Sequence, residues 1–505
     1  MPFSLSKPTV LIIGAGIGGI AVAARLARQG YKVTMVEKCE IPGGRCGQMT
    51  VQGYHFDTGA TLFMMPELYA ETFAALGERL ENHLDLRRLD PTYHLYFQDD
   101  SHLQLSPDLH RMQAQLETFE QGSFARMLRY LEEGGRHYRL SLEHLIGRDF
   151  RSLPEFINPR NILLFLQLKA LTRHTTYAQR FFKDPRLQIA FTFHDMYMGL
   201  SPYESPATYS LLQYTELVDG LYYPMGGMYS LSTALTRLAE KLGVTFLYNA
   251  PVEKILLNGK RAIGLALADG RVLSADIVVA NADLGYVYRD LLPDDGSAGR
   301  IDRREYGCST VMFYWGLDQQ YPRLGAHNLF FSGDYRKSFQ DIFKGLTMPE
   351  PPNIYIHAPA RLDPSMAPPG HDTWVVAIPV GHHNPTQPQD WPSIQSRARF
   401  FLLQRLAQLG LDDLEQHIEV EVSYGPLDWQ SRYNLTRGST HGLSHKLTQM
   451  AYFRPHNQHA RYRNLYFVGA STHPGTGVPT VLVSARLVSE RVLADTGGNR
   501  PETSP

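Results

Sequence analysis

Short apolar runs recur along this chain, and the first lies almost at its start: Val10, Leu11, Ile12 and Ile13 form an unbroken stretch. Such a run reads as a strand buried on both faces. A glycine-rich turn follows at 14–19, then small and apolar residues suited to a helix, then a second strand-like run over 33–36 that stops at Glu37. Strand, helix and strand at this spacing predict a parallel βαβ unit. The same alternation returns after residue 221, where Leu231, Leu235, Leu238 and Leu242 mark one face of a helix ended by Gly243. A strand over 244–248 comes next, then hairpin arms over 262–268 and 271–273 about Asp269-Gly270, then an apolar run over 276–281. A last strand is predicted over 465–468, and a last helix opens at Val478 with Pro479 in its first turn.

Between these segments the pattern changes. Residues 62–220 are richer in Leu, Phe, Tyr and Met and read as mainly helical. Residues 305–455 carry strand-like runs over 310–315, 354–357, 374–378 and 418–422, with an amphipathic helix over 394–409 and proline-rich loops. At 505 residues the chain is too long for one core. The expected fold class is α/β: a Rossmann-like domain assembled from 1–100, 221–304 and 456–495, and a second, α+β domain from 101–220 and 305–455. The tail, 496–505, is expected to be disordered.

Charge narrows the partners. Lys plus Arg total 49 and Asp plus Glu total 50, a net charge of −1 that gives no reason to expect a nucleic acid. Cys39, Cys46 and Cys308 form no C-x-x-C pair and no disulfide framework, which fits a reduced, cytoplasmic setting. The uncharged stretch 10–24 is too short to span a bilayer, is broken by glycines and lacks a basic leader. One segment departs from the balance: 156–183 has no acid but carries Arg160, Lys169, Arg173, Arg180 and Lys183 around a leucine-rich stretch. It suits a helix lying in the surface of an anionic bilayer, or equally a cavity-wall helix with a basic rim. The run 191–199, FTFHDMYMG, is either core or the lining of a long apolar pocket.

The chemistry concentrates in the turns. Gly14, Gly16 and Gly19 form G-x-G-x-x-G: a tight turn, a close approach for a pyrophosphate, and close packing of helix on strand. The helix N-terminus then offers free N–H groups to the phosphates. Glu37, 23 residues beyond Gly14, is spaced to accept hydrogen bonds from a ribose. Gly43-Gly44-Arg45 brings a guanidinium close behind it, and 56–61 and 469–477 are further small-residue turns at strand ends. The helix after the second of these can stabilise negative charge on a reduced cofactor ring. His441 and His445 have i, i+4 spacing, but Gly442 weakens a helix there and no third ligand suggests itself, so no metal site is expected. His382-His383 reads as a loop feature, and His473 as part of a structural turn rather than a covalent anchor.

The run 464–484, NLYFVGASTHPGTGVPTVLVS, closely resembles the signature of bacterial-type phytoene desaturases, the FAD-dependent carotenoid desaturases. GAGIGG at 14–19, GGR at 43–45, YYPMGG at 222–227, VVANAD at 278–283, DPSMAPPG at 363–370, Gly438-Ser439 and Phe453-Arg454-Pro455 also fit, and 191–201 and 207–215 look closer to the fungal branch. Ala60 departs from the family, which commonly has proline there. The resemblance implies an FAD domain of the amine-oxidase and carotenoid-desaturase type, with a discontinuous substrate domain over the flavin. It implies FAD contacts at Gly14, Gly16, Gly18 and Gly19 for phosphates, Glu37 for ribose, Gly44 and Arg45 beside them, and Val252 by the adenine. Gly469, Ala470, Val478 and Pro479 would lie by the isoalloxazine. The implied activity is desaturation of phytoene or a related C40 carotene toward lycopene-like products, at a membrane surface, with oxygen or a quinone receiving the electrons. Glu155 and Arg148 are candidates for the proton-handling groups; both read equally well as surface charges. Rival readings are a carotenoid isomerase or oxidase, an amine oxidase, and a non-catalytic isoprenoid carrier like the GDP-dissociation inhibitors. The acid-free middle segment argues against a cationic amine substrate.

Overall fold

A computed structural model describes residues 7–497. Its first sheet is five-stranded and parallel, in the order Leu465–Phe467, Ile277–Ala280, Thr9–Ile13, Lys32–Val36, Thr245–Leu247. The strand direction of winding reverses between Thr9–Ile13 and Ile277–Ala280, so the crevice outside the carboxyl ends of those two strands is where a dinucleotide belongs. Val10, Ile12, Val33, Met35, Ile277 and Val279 pack beneath helices Ile17–Arg28, Tyr229–Lys241 and Val478–Asp495 in one core. The antiparallel strands Val252–Asn258, Arg261–Leu267 and Val272–Ser274 cover the opposite face. Gly270 turns the hairpin with φ 86°.

The second sheet has seven strands, ordered Ile418–Tyr424, Ser309–Leu317, Asp372–Val380, Ile354–His357, His327–Phe330, Tyr93–Tyr96, His102–Leu105. Helix Trp391–Ala407 buries Trp391, Ile394, Ala398, Leu402 and Leu406 against one face, with Trp315, Trp374 and Ile378 opposite. The other face carries Met312, Leu329, Tyr355 and Ala377. Tyr93–Tyr96 already belongs to this sheet, pairing in parallel with His327–Phe330. The chain therefore crosses out of the first domain before residue 100. A helical layer that includes Leu109–Phe119 and Ser123–Ser141 shares a core with the Tyr93–Tyr96 end of this sheet, through Met112, Leu116, Met127 and Tyr130 against Tyr93 and Leu95.

The last helix continues to Asp495, and the Thr496 hydroxyl donates to the Val492 carbonyl at 2.8 Å and meets the Tyr31 hydroxyl. Thr496 is thus held to the helix end, not the start of a disordered tail; residues 498–505 lie outside the described residues.

Candidate active site

The first strand ends at Ile13, and Gly14 turns the chain at φ 91° while its N–H donates to the Val36 carbonyl at 2.8 Å. Asn281, at the end of the neighbouring strand, fills the space beside the turn. Its Nδ2 donates to the Gly14 carbonyl at 3.1 Å. A Cβ would come within 2.9 Å of Asn281 backbone oxygen at Gly14, 2.9 Å of Asn281 Nδ2 at Gly16 and 2.8 Å of Asn281 Oδ1 at Gly18. At Gly19 it would lie 2.3 Å from the Gly14 carbonyl oxygen, so the helix rests directly on the turn. Gly43 runs alongside Gly16, its N–H donating to the Ala15 carbonyl at 2.7 Å.

Glu37 is buried, and its carboxylate accepts N–H bonds from Ala15 at 2.6 Å and Cys39 at 2.9 Å. Each oxygen keeps a lone pair for a further donor. Arg45 donates to the Thr440 carbonyl at 2.8 Å; burial pulls its guanidinium below the ordinary arginine range, and the Asp283 carboxylate opposes that shift. A glycine cradle that any Cβ would fill, a helix N-terminus without an acid in its first turn, and a buried carboxylate at ribose distance in sequence fit a dinucleotide.

The opposite end is the turn between Gly469 (φ 112°) and Gly477 (φ 109°), which leads into helix Val478–Asp495. Arg454 is fully enclosed behind it. Its guanidinium donates to the carbonyls of Ala470 at 2.6 Å, Thr472 at 3.1 Å, Ser444 at 3.2 Å and Leu443 at 3.3 Å. Burial lowers its pKa to about 9. Asn457 Nδ2 donates to the carbonyls of Phe467 at 3.2 Å and His473 at 3.0 Å, and His445 Nε2 accepts the Thr476 N–H at 3.0 Å. His445 thus serves the turn. Asp283 accepts the hydroxyls of Thr436 and Ser471, fixing the turn after Asn281.

One continuous cavity of about 1040 Å³ joins the two ends. It begins at Glu37 and Val252, passes Gly14, Gly16, Gly18, Gly44 and Arg45, and reaches Gly469, Ala470, Val478 and Pro479. All the cofactor residues expected from the sequence lie on its wall except Gly19, which packs behind it. Beyond them the wall is apolar and aromatic, with Phe193, Met196, Tyr197, Met198, Leu329 and Phe331. The 191–199 run therefore lines the cavity as well as filling core. Ala60 lines it too, where Gly59 and Arg45 keep the turn close: a Cβ on Gly59 would meet the Arg45 carbonyl at 2.4 Å.

Glu155 and Arg148 do not reach this cavity. Glu155 is exposed on the short turn Leu153–Phe156, where it accepts the Arg151 N–H at 3.0 Å and the Ser152 hydroxyl at 3.1 Å. Those bonds hold its carboxyl below the usual range. Arg148 is exposed over the Phe150 ring at 5.6 Å. Both are surface groups, and neither is placed to take a proton from a molecule in the cavity. Asn281, Asp283, Arg454 and Asn457 have roles that sequence reasoning missed; their motifs were visible, but only the sheet order brings Asn281 to Gly14.

A family model described as flavin containing amine oxidoreductase matches residues 17–493. The zeta-carotene-forming phytoene desaturase of Myxococcus xanthus is 47% identical, over 98% of this chain and 95% of that protein. The phytoene desaturase of Fusarium fujikuroi is 40% identical, over 97% of this chain and 90% of that one. A solved putrescine oxidase shares the fold at TM-score 0.63 and 15% identity, over 97% of this chain and 99% of that chain. The chain belongs to the flavin-containing amine oxidoreductases, among the bacterial and fungal phytoene desaturases, and is an FAD-dependent oxidoreductase.

Proposed function

We propose that this protein desaturates phytoene, or a closely related C40 carotene, to more conjugated carotenoids such as lycopene. The observation that carries the reading is the continuity of the cavity from a dinucleotide cradle into a wall of aromatic and aliphatic side chains. Its size is at the top of the range for small-molecule sites, which suits a cofactor and a long substrate together. The acids on its wall, Glu37, Glu40 and Asp283, all stand at the cofactor end, so among the described residues the substrate end holds no carboxylate for a cationic amine.

FAD, when bound, supplies the hydride acceptor. The rest falls to the chain. Gly14, Gly16 and Gly18 would admit the diphosphate, Glu37 the ribose hydroxyls, with Gly44 and Arg45 beside them and Val252 by the adenine. Gly469, Ala470, Val478 and Pro479 would border the flavin ring, where the helix N-terminus favours negative charge. The apolar wall aligns the polyene and excludes water, which keeps a carbocation-like centre from being trapped.

The substrate arrives from a membrane in this reading. Helix Pro159–Gln167 is capped by Asn158, which accepts the Asn161 N–H at 3.0 Å, and buries Leu164 while Ile162, Leu163 and Leu166 are 54–58% exposed. Leu153, Ile157 and Leu171 in the flanking sequence are exposed, as are Arg160, Arg173, Arg180 and Lys183. An apolar ridge with a basic rim supports peripheral docking on anionic lipid, and the helix is not on the cavity wall. No helix among the described residues is long and apolar enough to cross a membrane. Arg491 grips Asp149 at 2.6 Å and Arg486 donates to the Gly147 carbonyl at 3.2 Å, tying the segment before this ridge to the last helix. Oxygen or a quinone would take the electrons.

Purified, FAD-loaded protein incubated with phytoene in liposomes tests the proposal. Products that lose two hydrogens per step and absorb at longer wavelength support it. A product of unchanged mass would make the protein an isomerase, and a colourless protein without flavin would make it a carrier.

A further inference from the structure

Tyr355 stands on the substrate wall at the centre of a hydrogen-bonded row. Its hydroxyl meets Thr61 Oγ1 at 2.8 Å and His327 Nδ1 at 2.8 Å. Thr61 lies on the cavity wall at the end of the turn that follows Gly59 and Ala60, while His327 is enclosed behind Tyr355. The row is a product of sheet register. His327 pairs with His357 and Leu329 with Tyr355 on adjacent antiparallel strands, so all four side chains share the cavity-side face. The His327 and His357 rings stack at 4.4 Å with planes 9° apart, and His357 Nδ1 meets the Ala326 carbonyl at 3.0 Å. A nitrogen facing a carbonyl must carry the proton, which fixes the His357 tautomer. Burial, with His357 and His94 nearby, holds His327 well below the ordinary histidine range; its Nδ1 faces the Tyr355 hydroxyl, and its Nε2 has no hydrogen-bond partner among the described residues.

The desaturation proposed above needs a proton acceptor, and the two charged candidates are on the surface. We propose that Tyr355 is the group that first receives the substrate proton, with Thr61 and His327 as positioning residues that aim its hydroxyl and draw its own proton away. A hydroxyl has one donor and two acceptor sites. With Tyr355 donating to His327 and Thr61 donating to Tyr355, one lone pair of the phenol oxygen remains for the cavity.

One substrate C–H bond would break with its electron pair leaving as hydride, for which bound FAD would supply the acceptor. The C–H bond on the neighbouring carbon breaks with its pair staying to form the new C=C bond. That proton bonds to Tyr355 Oη as the phenol proton moves to His327 Nδ1, leaving a neutral phenol and an imidazolium. Water entering as product departs takes the proton from His327 through the same hydroxyl, and the row is reset.

Other groups on or near the wall suit this task less well. Tyr197 donates to the Tyr93 hydroxyl, which is not an imidazole, and Glu216 lies behind the wall with its carboxylate engaged by His194 and Thr92. His441 is on the wall, but its Nδ1 already meets the Cys308 carbonyl at 3.3 Å and the Thr440 hydroxyl at 3.2 Å, and it has no tyrosine hydroxyl between it and the cavity.

The inference rests on the proposed desaturation, and the test separates the two. Anaerobic bleaching of the FAD-loaded protein by phytoene in liposomes is followed in a single turnover, for wild type, Y355F and H327Q. Phytoene carries deuterium either at the carbon that loses the proton or at the carbon that loses the hydride. We expect Y355F to keep its flavin and to bleach about 10²-fold or more slowly, the usual scale for a lost proton-transfer group. Its isotope effect should rise for the proton-losing carbon and not for the other. H327Q should change the same isotope effect in the same direction, which a merely structural role would not do. If Y355F bleaches within about threefold of wild type, or if both isotope effects move together, Tyr355 is not the acceptor. Should Y355F fail to hold flavin, H327Q, which keeps the phenol, decides by the same isotope criterion. Wild type that phytoene does not bleach refutes the activity itself, not the role of Tyr355.

Discussion

Asn281 Nδ2 donates to the carbonyl of Gly14 at 3.1 Å, so the end of one central strand is fastened to the glycine-rich turn at the end of the next. The same side chain sets the limit on Gly16 and Gly18, whose Cβ atoms would strike it at 2.9 and 2.8 Å. Asn281→Ala removes one hydrogen bond, worth about 1 kcal/mol, and should weaken FAD binding about fivefold with the fold intact. Gly16→Ala inserts a methyl group into the cradle and should leave the protein without flavin. Flavin absorbance after gel filtration, and titration of the apoprotein by flavin fluorescence, distinguish the two outcomes.

Glu37 has a structural duty besides the one its position suggested. Its two oxygens each take a backbone N–H, from Ala15 at 2.6 Å and Cys39 at 2.9 Å. Glu37→Leu leaves both unpaired in a buried place, at about 1–3 kcal/mol each. Melting temperature and flavin content should therefore fall together in Glu37→Leu. Glu37→Gln keeps one acceptor and should lie between it and wild type; equal melting temperatures for all three would show that the carboxylate does not hold the turn.

How much was legible follows from the distance over which each feature is decided. The run from Val10 to Glu37 is a local unit whose spacing carries its own meaning, and the strand over 354–357 is observed at those limits. Tyr93–Tyr96 went unread because its partner, His327–Phe330, is far away in sequence, and a four-residue strand carries too little periodicity to identify itself. The duty of Asn281 depends on sheet order, which no window of sequence contains. Glu155 has the right chemistry for a base, but nothing local shows that its turn faces solvent. The Tyr355 row is invisible for the same reason: Thr61, His327 and Tyr355 meet only after two sheets and a loop have assembled.

Asp57 makes stability depend on pH. Its carboxylate accepts the N–H groups of Met228 at 2.6 Å and Tyr229 at 3.1 Å, at the start of helix Tyr229–Lys241. Burial outweighs those bonds and pushes its pKa up to about 7. A carboxyl raised in the folded state contributes stability that is fully present below its unfolded pKa, about 4, and lost as pH rises toward the folded value. Between those limits this group should lower the unfolding free energy by about 1.4 kcal/mol per pH unit. Asp57→Asn, which cannot ionise, should remove that slope. Urea unfolding of the holoprotein at several pH values reads the difference; parallel profiles for the two proteins would mean that Asp57 ionises freely.

The exposed ridge on helix Pro159–Gln167 gives the last prediction. Leu163 and Leu166 are 57% and 58% exposed, and neither lies on the cavity wall. Full burial of a leucine side chain is worth about 1.5–3 kcal/mol, so seating both in the acyl boundary could account for about a hundredfold in vesicle affinity. L163E/L166E also adds two negative charges beside Arg160 and Lys169, against an anionic surface. The double variant should keep wild-type flavin content and melting temperature, because the changed side chains already face solvent. It should lose co-sedimentation with anionic vesicles and turnover of phytoene embedded in them, yet retain turnover of detergent-dispersed phytoene. Undiminished vesicle binding would move the docking surface elsewhere. Loss of turnover in both media would mean that these leucines contribute to the catalytic fold rather than to membrane contact.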